Sequence, residues 1–221
     1  MKNTQKTSWL PIVMMILLFG MIGFVTNIAA PAGTIWMSKY EGSSAIGMLG
    51  NLMNFLAYLV MGIPAGLLLQ KVGYKKTALT AIAVGFAGVG IQFFSGMLTG
   101  NFGFAVYLIG AFVAGFSMCM LNTVVNPMLN TIGGGGKKGG MLLQIGGSFN
   151  SLLGTIAPVF VGALIGTVVT KKISLETGAP ETVFSDINLV LYISMAIFAV
   201  VGIVLSLVDI PEPEADNKNA V

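Results

Sequence analysis

Asn122 and Asn126 lie four residues apart in the apolar stretch GFSMCMLNTVVNPMLNTIG, Gly115–Gly133, with Pro127 directly after them. On a helix that spacing puts both amides on one face. An amide supplies two donors and a carbonyl acceptor, so a pair of them can bind a neutral group that both gives and takes hydrogen bonds. Left unpartnered in hydrocarbon, each would carry a heavy desolvation cost. A chain tolerates this where the face lines a wet cavity or packs on other polar helices. Asn27, Asn54, Gln144 and Asn150 repeat the theme in other apolar stretches, with Phe24, Phe55 and Phe149 nearby. These six amides are the candidate binding residues. The alternative for each asparagine is interhelical hydrogen bonding, worth about 0.6–2 kcal/mol.

The elements that must position them are membrane spans. Of 221 residues, 55% are hydrophobic and 9% charged, with mean hydropathy +0.90. A soluble domain is about a quarter charged. Six bilayer-length segments are read at 9–36, 44–69, 77–98, 102–129, 140–169 and 187–208, flanked by a cytoplasmic N-terminus (1–8) and a linker or tail (209–221). The first apolar run is too long for the h-region of a cleaved signal peptide. The chain has no His and one Cys, Cys119, which excludes an internal disulfide framework and argues against a His/Cys metal site; no cofactor is expected. Its net charge of +3 comes from scattered lysines and gives nucleic-acid binding no support. With the N-terminus inside, Lys2, Lys6, Lys71, Lys75, Lys76, Lys137, Lys138 and Lys218 are cytoplasmic, and only Lys39, Lys171 and Lys172 are outside. That bias follows the positive-inside rule and puts both termini in the cytoplasm.

Segments one, two, four and five carry the amides and Pro31, Pro64, Pro127 and Pro158, whereas three and six are poor in amides. The third member of each triplet therefore reads as lipid-facing and the first two as interior. Gly23-Phe24 in segment one parallels Gly115-Phe116 in segment four. Phe55 and Phe149 each precede a proline by nine residues. This suggests an all-α fold of two inverted 3+3 repeats, as in secondary transporters, although Gly- and Phe-rich helices also match by chance. Gly62-x-x-x-Gly66, Gly146, Gly147, Gly154 and Gly162 read as helix-packing sites. The Gly133–Gly140 run lacks the preceding strand and Gly-Lys-Ser/Thr ending of a phosphate loop, and reads as a flexible cytoplasmic turn.

Gly66-Leu67-Leu68-Leu69-Gln70-Lys71-Val72-Gly73-Tyr74-Lys75-Lys76 resembles the loop between the second and third helices of the major facilitator superfamily. Gly66, Gly73, Lys71, Lys75 and Lys76 match that pattern in kind, while the acidic position is Gln70. The resemblance implies a conformational-switch loop with a weakened, hydrogen-bonded lock. Three stretches together are similar to the fucose/glucose–galactose permease branch: Gly62-Ile63-Pro64-Ala65-Gly66 with Gly73-Tyr74-Lys75-Lys76, Asn122-Thr123-Val124-Val125-Asn126-Pro127, and Ser148-Phe149-Asn150-Ser151. The resemblance implies the N-terminal half of a twelve-helix sugar carrier in a bacterial inner membrane. A second six-helix half would come from the same polypeptide, a split subunit or a homodimer, and Pro211–Asp216 would begin the central linker. Two departures stand out. Proton symporters of this branch carry a fourth-helix acid where this chain has Asn122, and a Gln they often carry is Gly147 here.

No acid lies in any span before Asp209, so a proton relay in this half has no carboxylate. The expectation is alternating-access transport of a small polar solute, a sugar such as a hexose or fucose, around a site bounded by the amides. Gln144 would stand near the cytoplasmic mouth. A rival from another class is a truncated or split half without transport of its own, acting as a membrane partner or scaffold. An intramembrane enzyme is the poorest reading, because no nucleophile–base constellation is present.

Overall fold

The computed structural model describes residues 9–40, 43–98, 100–173 and 187–210. The tails 1–8 and 211–221, with Lys2, Lys6 and Lys218, lie outside the described residues, as do the side chains of Lys39, Lys171 and Lys172. The helices are α1 (Trp9–Asn27), α2 (Ala29–Lys39), α3 (Ser44–Val72), α4 (Tyr74–Ser95), α5 (Gly100–Ile132), α6 (Gly136–Ile173) and α7 (Asn188–Leu207). α1 and α2 together form the first of six helices long and apolar enough to cross a bilayer. At 1.5 Å per residue, the 33 residues of α5 extend about 50 Å, well beyond a hydrocarbon core of about 30 Å.

The first span is interrupted just before Pro31. Pro31 has no N–H for the Asn27 carbonyl, and the ladder lapses into a turn at Ile28 before α2 begins. Pro64, Pro127 and Pro158 instead lie inside continuous helices. α2 is held to the start of α5 by rings: Trp36 packs on Phe104 at 4.9 Å and on Tyr107 at 5.7 Å between centroids. Tyr40 donates to Asn101 Oδ1 at 2.7 Å beside them.

Contacts fix the helix directions. Phe19 and Gly23 meet residues 146–150 of α6, and Asn27 meets Gly154, so α1 and α6 run parallel. Asn54 lies against Gly115 and Tyr58 against Asn122, so α3 and α5 also run parallel. α4 is antiparallel to α5 through Gly88 on Ala114 and Gln92 on Gly110, and antiparallel to α7 through Gly85 on Phe198. α5 is the hub, touching α1, α3, α4 and α6. α1 packs on α6 about as extensively as α3 packs on α5, which is the exchange a triplet repeat requires. The exchange is incomplete, because α4–α5 packing is extensive and α1–α7 packing is slight.

Burial within the chain divides the helices differently from amide content. α4, read as lipid-facing, is half buried between α5 and α7, whereas α3 and α6 turn most of their surface outward. Amide content shows which helices have a polar face but not how much of each helix the chain itself covers. The packing glycines also divide. Gly146 and Gly154 do meet neighbours, but Gly62, Gly66, Gly147 and Gly162 have no atom within 4 Å of a Cβ position.

Both basic corners are tightly built. Gly73 alone joins α3 to α4, at φ 83° and ψ 176°, with its N–H on the Leu69 carbonyl at 2.9 Å. In the Gly-rich run, residues 133–135 form the turn, closed as a helix stop, and 136–140 belong to α6. Gly134 N–H bonds the Thr131 carbonyl and Gly135 N–H the Asn130 carbonyl, both at 2.9 Å, with Gly134 left-handed at φ 76°. α6 then starts at Gly136, so Lys137 and Lys138 occupy its first turn.

Gly73 sits in backbone space that only glycine occupies easily, at a cost of about 1–3 kcal/mol for other residues. Gly73→Ala should lower the thermal midpoint of the detergent-purified chain. Gly66→Ala, in a helix and facing open space, should leave that midpoint unchanged or raise it.

Candidate functional site

The polar groups of α1, α3, α5 and α6 gather around two close crossings near the middle of the bundle. At the first, a Cβ on Gly23 would collide with the Asn150 carbonyl, so α1 and α6 touch backbone to backbone. Asn150 Nδ2 donates across this contact to the Phe19 carbonyl at 2.9 Å. Asn27 Nδ2 turns back on its own helix to the Gly23 carbonyl at 2.8 Å and lies against Gly154. At the second, a Cβ on Gly115 would stand 2.6 Å from Ala57 Cβ and 2.9 Å from the Asn54 carbonyl. Asn54 is buried there, 7% exposed, on the α3–α5 seam.

Two turns beyond Gly115, Asn122 Nδ2 donates to the Tyr58 hydroxyl at 2.8 Å. Asn126, exposed, donates to the Asn122 carbonyl at 2.7 Å within α5. Gln144 is exposed near the start of α6 and belongs to neither crossing. Phe24 is half-buried and packs on Phe160 at 6.1 Å, while Phe55 projects outward, 63% exposed. Gly66, Gln70, Lys71, Gly73, Lys75 and Lys76 stand together at the α3–α4 corner, away from the amides, with Gln70, Lys71 and Lys76 exposed.

Of the candidate amides, Asn27 and Asn150 thus meet at the α1–α6 crossing and Asn122 and Asn126 at the α3–α5 pair, with Asn54 in the seam and Gln144 apart. Sequence reasoning missed Tyr58. Asn54-x-x-x-Tyr58 has the same four-residue spacing as Asn122-x-x-x-Asn126 and carried the missed signal. Among the described residues no group of three His, Cys, Asp or Glu could hold a metal ion. The site offers amide and hydroxyl donors and acceptors, with no carboxylate inside a span. That chemistry suits an uncharged, hydroxylated ligand.

A family model for the Major Facilitator Superfamily matches residues 12–221. The chain belongs to that superfamily. It is 28% identical over 219 residues to a glucose/galactose transporter of Brucella abortus, covering 97% of this chain and 50% of the relative. It is 25% identical over 174 residues to the L-fucose-proton symporter of Escherichia coli, covering 75% of this chain and 39% of that protein. A crystal structure of the E. coli fucose:proton symporter superposes with a TM-score of 0.67 at 21% identity, over 93% of this chain and 52% of that one. The chain spans about half the length of the curated relatives it matches. Six apolar helices in this superfamily's fold make it an integral membrane chain.

Asn150 bridges two helices and Asn126 only its own helix, so their substitutions should separate. Asn150→Ala should cost about 1 kcal/mol, within the usual range for interhelical bonds in membranes. Asn126→Ala should stay within about 0.5 kcal/mol, as for other surface positions. Unfolding midpoints of both variants in mild detergent check this.

Proposed function

We propose that this chain forms one half of an alternating-access carrier for a small neutral sugar such as a hexose or fucose, in a bacterial inner membrane with both termini cytoplasmic. The observation that carries the reading is the meeting of amide and hydroxyl side chains from α1, α3, α5 and α6 mid-bundle, with no acid among them. Sugar hydroxyls need partners that both donate and accept, and these side chains supply them. The names of the relatives, a glucose/galactose transporter and an L-fucose-proton symporter, point to the same solute class. Lysine placement supports the orientation: Lys71, Lys75, Lys76, Lys137 and Lys138 all sit at one end of the bundle.

The second half would cover the outward faces of α3 and α6. Those faces carry Leu52, Phe55, Leu59, Ile63, Ile156 and Val159, all exposed in this chain, beside the open Gly62, Gly66, Gly147 and Gly162. Rocking of the halves about the midplane would expose the amides to each side in turn. The one-residue Gly73 corner, with Gln70 in place of the acid, would act as the weakened switch between states. An amide does not titrate in the physiological range, so Asn122 would contact solute without coupling its movement to protons. Coupling, where present, would lie in the second half.

Asn122→Ala in the intact carrier should raise the apparent KM for the transported sugar about tenfold, the equivalent of one hydrogen bond of about 1.4 kcal/mol. Uptake assays with pH and sodium gradients varied separately check this, and the pH profile should be unaltered. A lost pH response in that variant would sink the assignment. A chain that takes up no sugar with any second half would favour the scaffold role.

A further inference from the structure

Three helices meet at Tyr58. It stands midway along α3, half-buried, and its hydroxyl accepts from Asn122 Nδ2 of α5 at 2.8 Å. Cys119, one turn earlier on α5, places its thiol 3.9 Å from the Tyr58 carbonyl. Thr26 of α1 neighbours the same hydroxyl, and its own oxygen is buried.

Thr26 departs from the other described helical threonines, of which Thr34 donates to the Pro31 carbonyl three residues back at 2.7 Å. Thr77, Thr80, Thr123, Thr131 and Thr155 each donate to the carbonyl four residues back, at 2.7–2.9 Å. The Thr26 hydroxyl is buried and bonds to nothing among the described residues. A helical threonine ordinarily satisfies itself on its own backbone, so one that does not, beside a phenol, is set up for another partner. The phenol complements it. Its oxygen accepts from Asn122, yet it keeps its own proton to donate. The same bond turns Asn122 Nδ2 toward Tyr58 and therefore Oδ1 away from it.

We infer that Tyr58 is a specificity-determining residue of the solute site, holding Asn122 with Oδ1 presented as an acceptor and sharing one solute hydroxyl with Thr26. That hydroxyl accepts from Tyr58 Oη and donates to Thr26 Oγ1, using both of its capacities at once. The inference rests on the carrier reading above and adds residues from α1 and α3 to it.

The test uses cells expressing the intact carrier, with labelled D-glucose, D-galactose and L-fucose and the monodeoxy analogues of whichever is taken up. Tyr58→Phe keeps the ring and removes the hydroxyl. It should raise the apparent KM about tenfold with the maximal rate little changed. The rise should vanish for one monodeoxy analogue and be smaller, but still present, in an Asn122→Ala background. Thr26→Val should show the same selectivity for that analogue. An equal KM rise for every analogue, or a fall in maximal rate at unchanged KM, overturns the inference. Absence of uptake of all three sugars by the wild type would count against the carrier reading instead. Tyr58 is then decided by thermal midpoints of the wild type, Tyr58→Phe, Asn122→Ala and the double variant in detergent. Non-additive shifts support the pairing, and additive shifts overturn it.

Discussion

Backbone contact at two glycines sets the geometry of the bundle. In a bilayer, lipid tails are as apolar as leucine, so helices gain nothing from burying apolar side chains against one another. They associate through close packing and polar contacts. Gly23 lets α1 meet the Asn150 backbone, and Gly115 lets α5 meet the Asn54 backbone. A methyl group at either position would push the helices apart. The interhelical bonds Asn150–Phe19 and Asn122–Tyr58 span those same seams at 2.8–2.9 Å, so the reach of the amides depends on the missing methyls. Gly23-Phe24 and Gly115-Phe116 occupy matching places in the two triplets, and each is where a first helix meets the second helix of the other triplet. The repeat is thus visible as a repeated contact.

Around these seams the remaining helices do different work. α4 approaches α5 through Gly88 on Ala114 and Gly110 on Gln92, and α7 buries Phe198 against Gly85. These contacts are tight but contribute few side-chain hydrogen bonds between helices. The polar chemistry therefore concentrates on α1, α3, α5 and α6, and the bulk of the burial falls on α1, α4 and α5. α1 and α5 belong to both groups, and α5 touches α1, α3, α4 and α6.

Span number, the amide-bearing helices and the family were legible because each leaves a periodic or compositional trace. A proline removes one identifiable hydrogen bond, yet of Pro31, Pro64, Pro127 and Pro158 only Pro31 coincides with a break between helices. The buried state of α4 was not legible, because an apolar helix reads alike against lipid and against another apolar helix. The Gly133–Gly140 run illustrates another limit. Glycines admit left-handed geometry, but whether a run stays loose or closes into a helix stop depends on the carbonyls of Asn130 and Thr131. Tyr58 and Thr26 escaped notice for a third reason. Single hydroxyls among apolar residues usually satisfy themselves locally, and only their juxtaposition across α1, α3 and α5 marks them out.

The outward faces of α3 and α6 present the hardest distinction, since lipid and protein can both cover exposed leucines. Glycine separates the two. In a helix it costs about 1 kcal/mol relative to alanine, and lipid returns none of that. Inside the chain, Gly23, Gly88 and Gly115 offset the cost by admitting another backbone. Gly62, Gly66, Gly147 and Gly162 bear the same cost with no atom near enough to offset it. They lie on the two helices whose exposed faces flank the polar seams. A second helical body approaching α3 and α6 to backbone distance would restore the balance, and it would also close the polar groups between two protein surfaces. On the carrier reading, the device that joins α1 to α6 and α3 to α5 is thus used again between the halves.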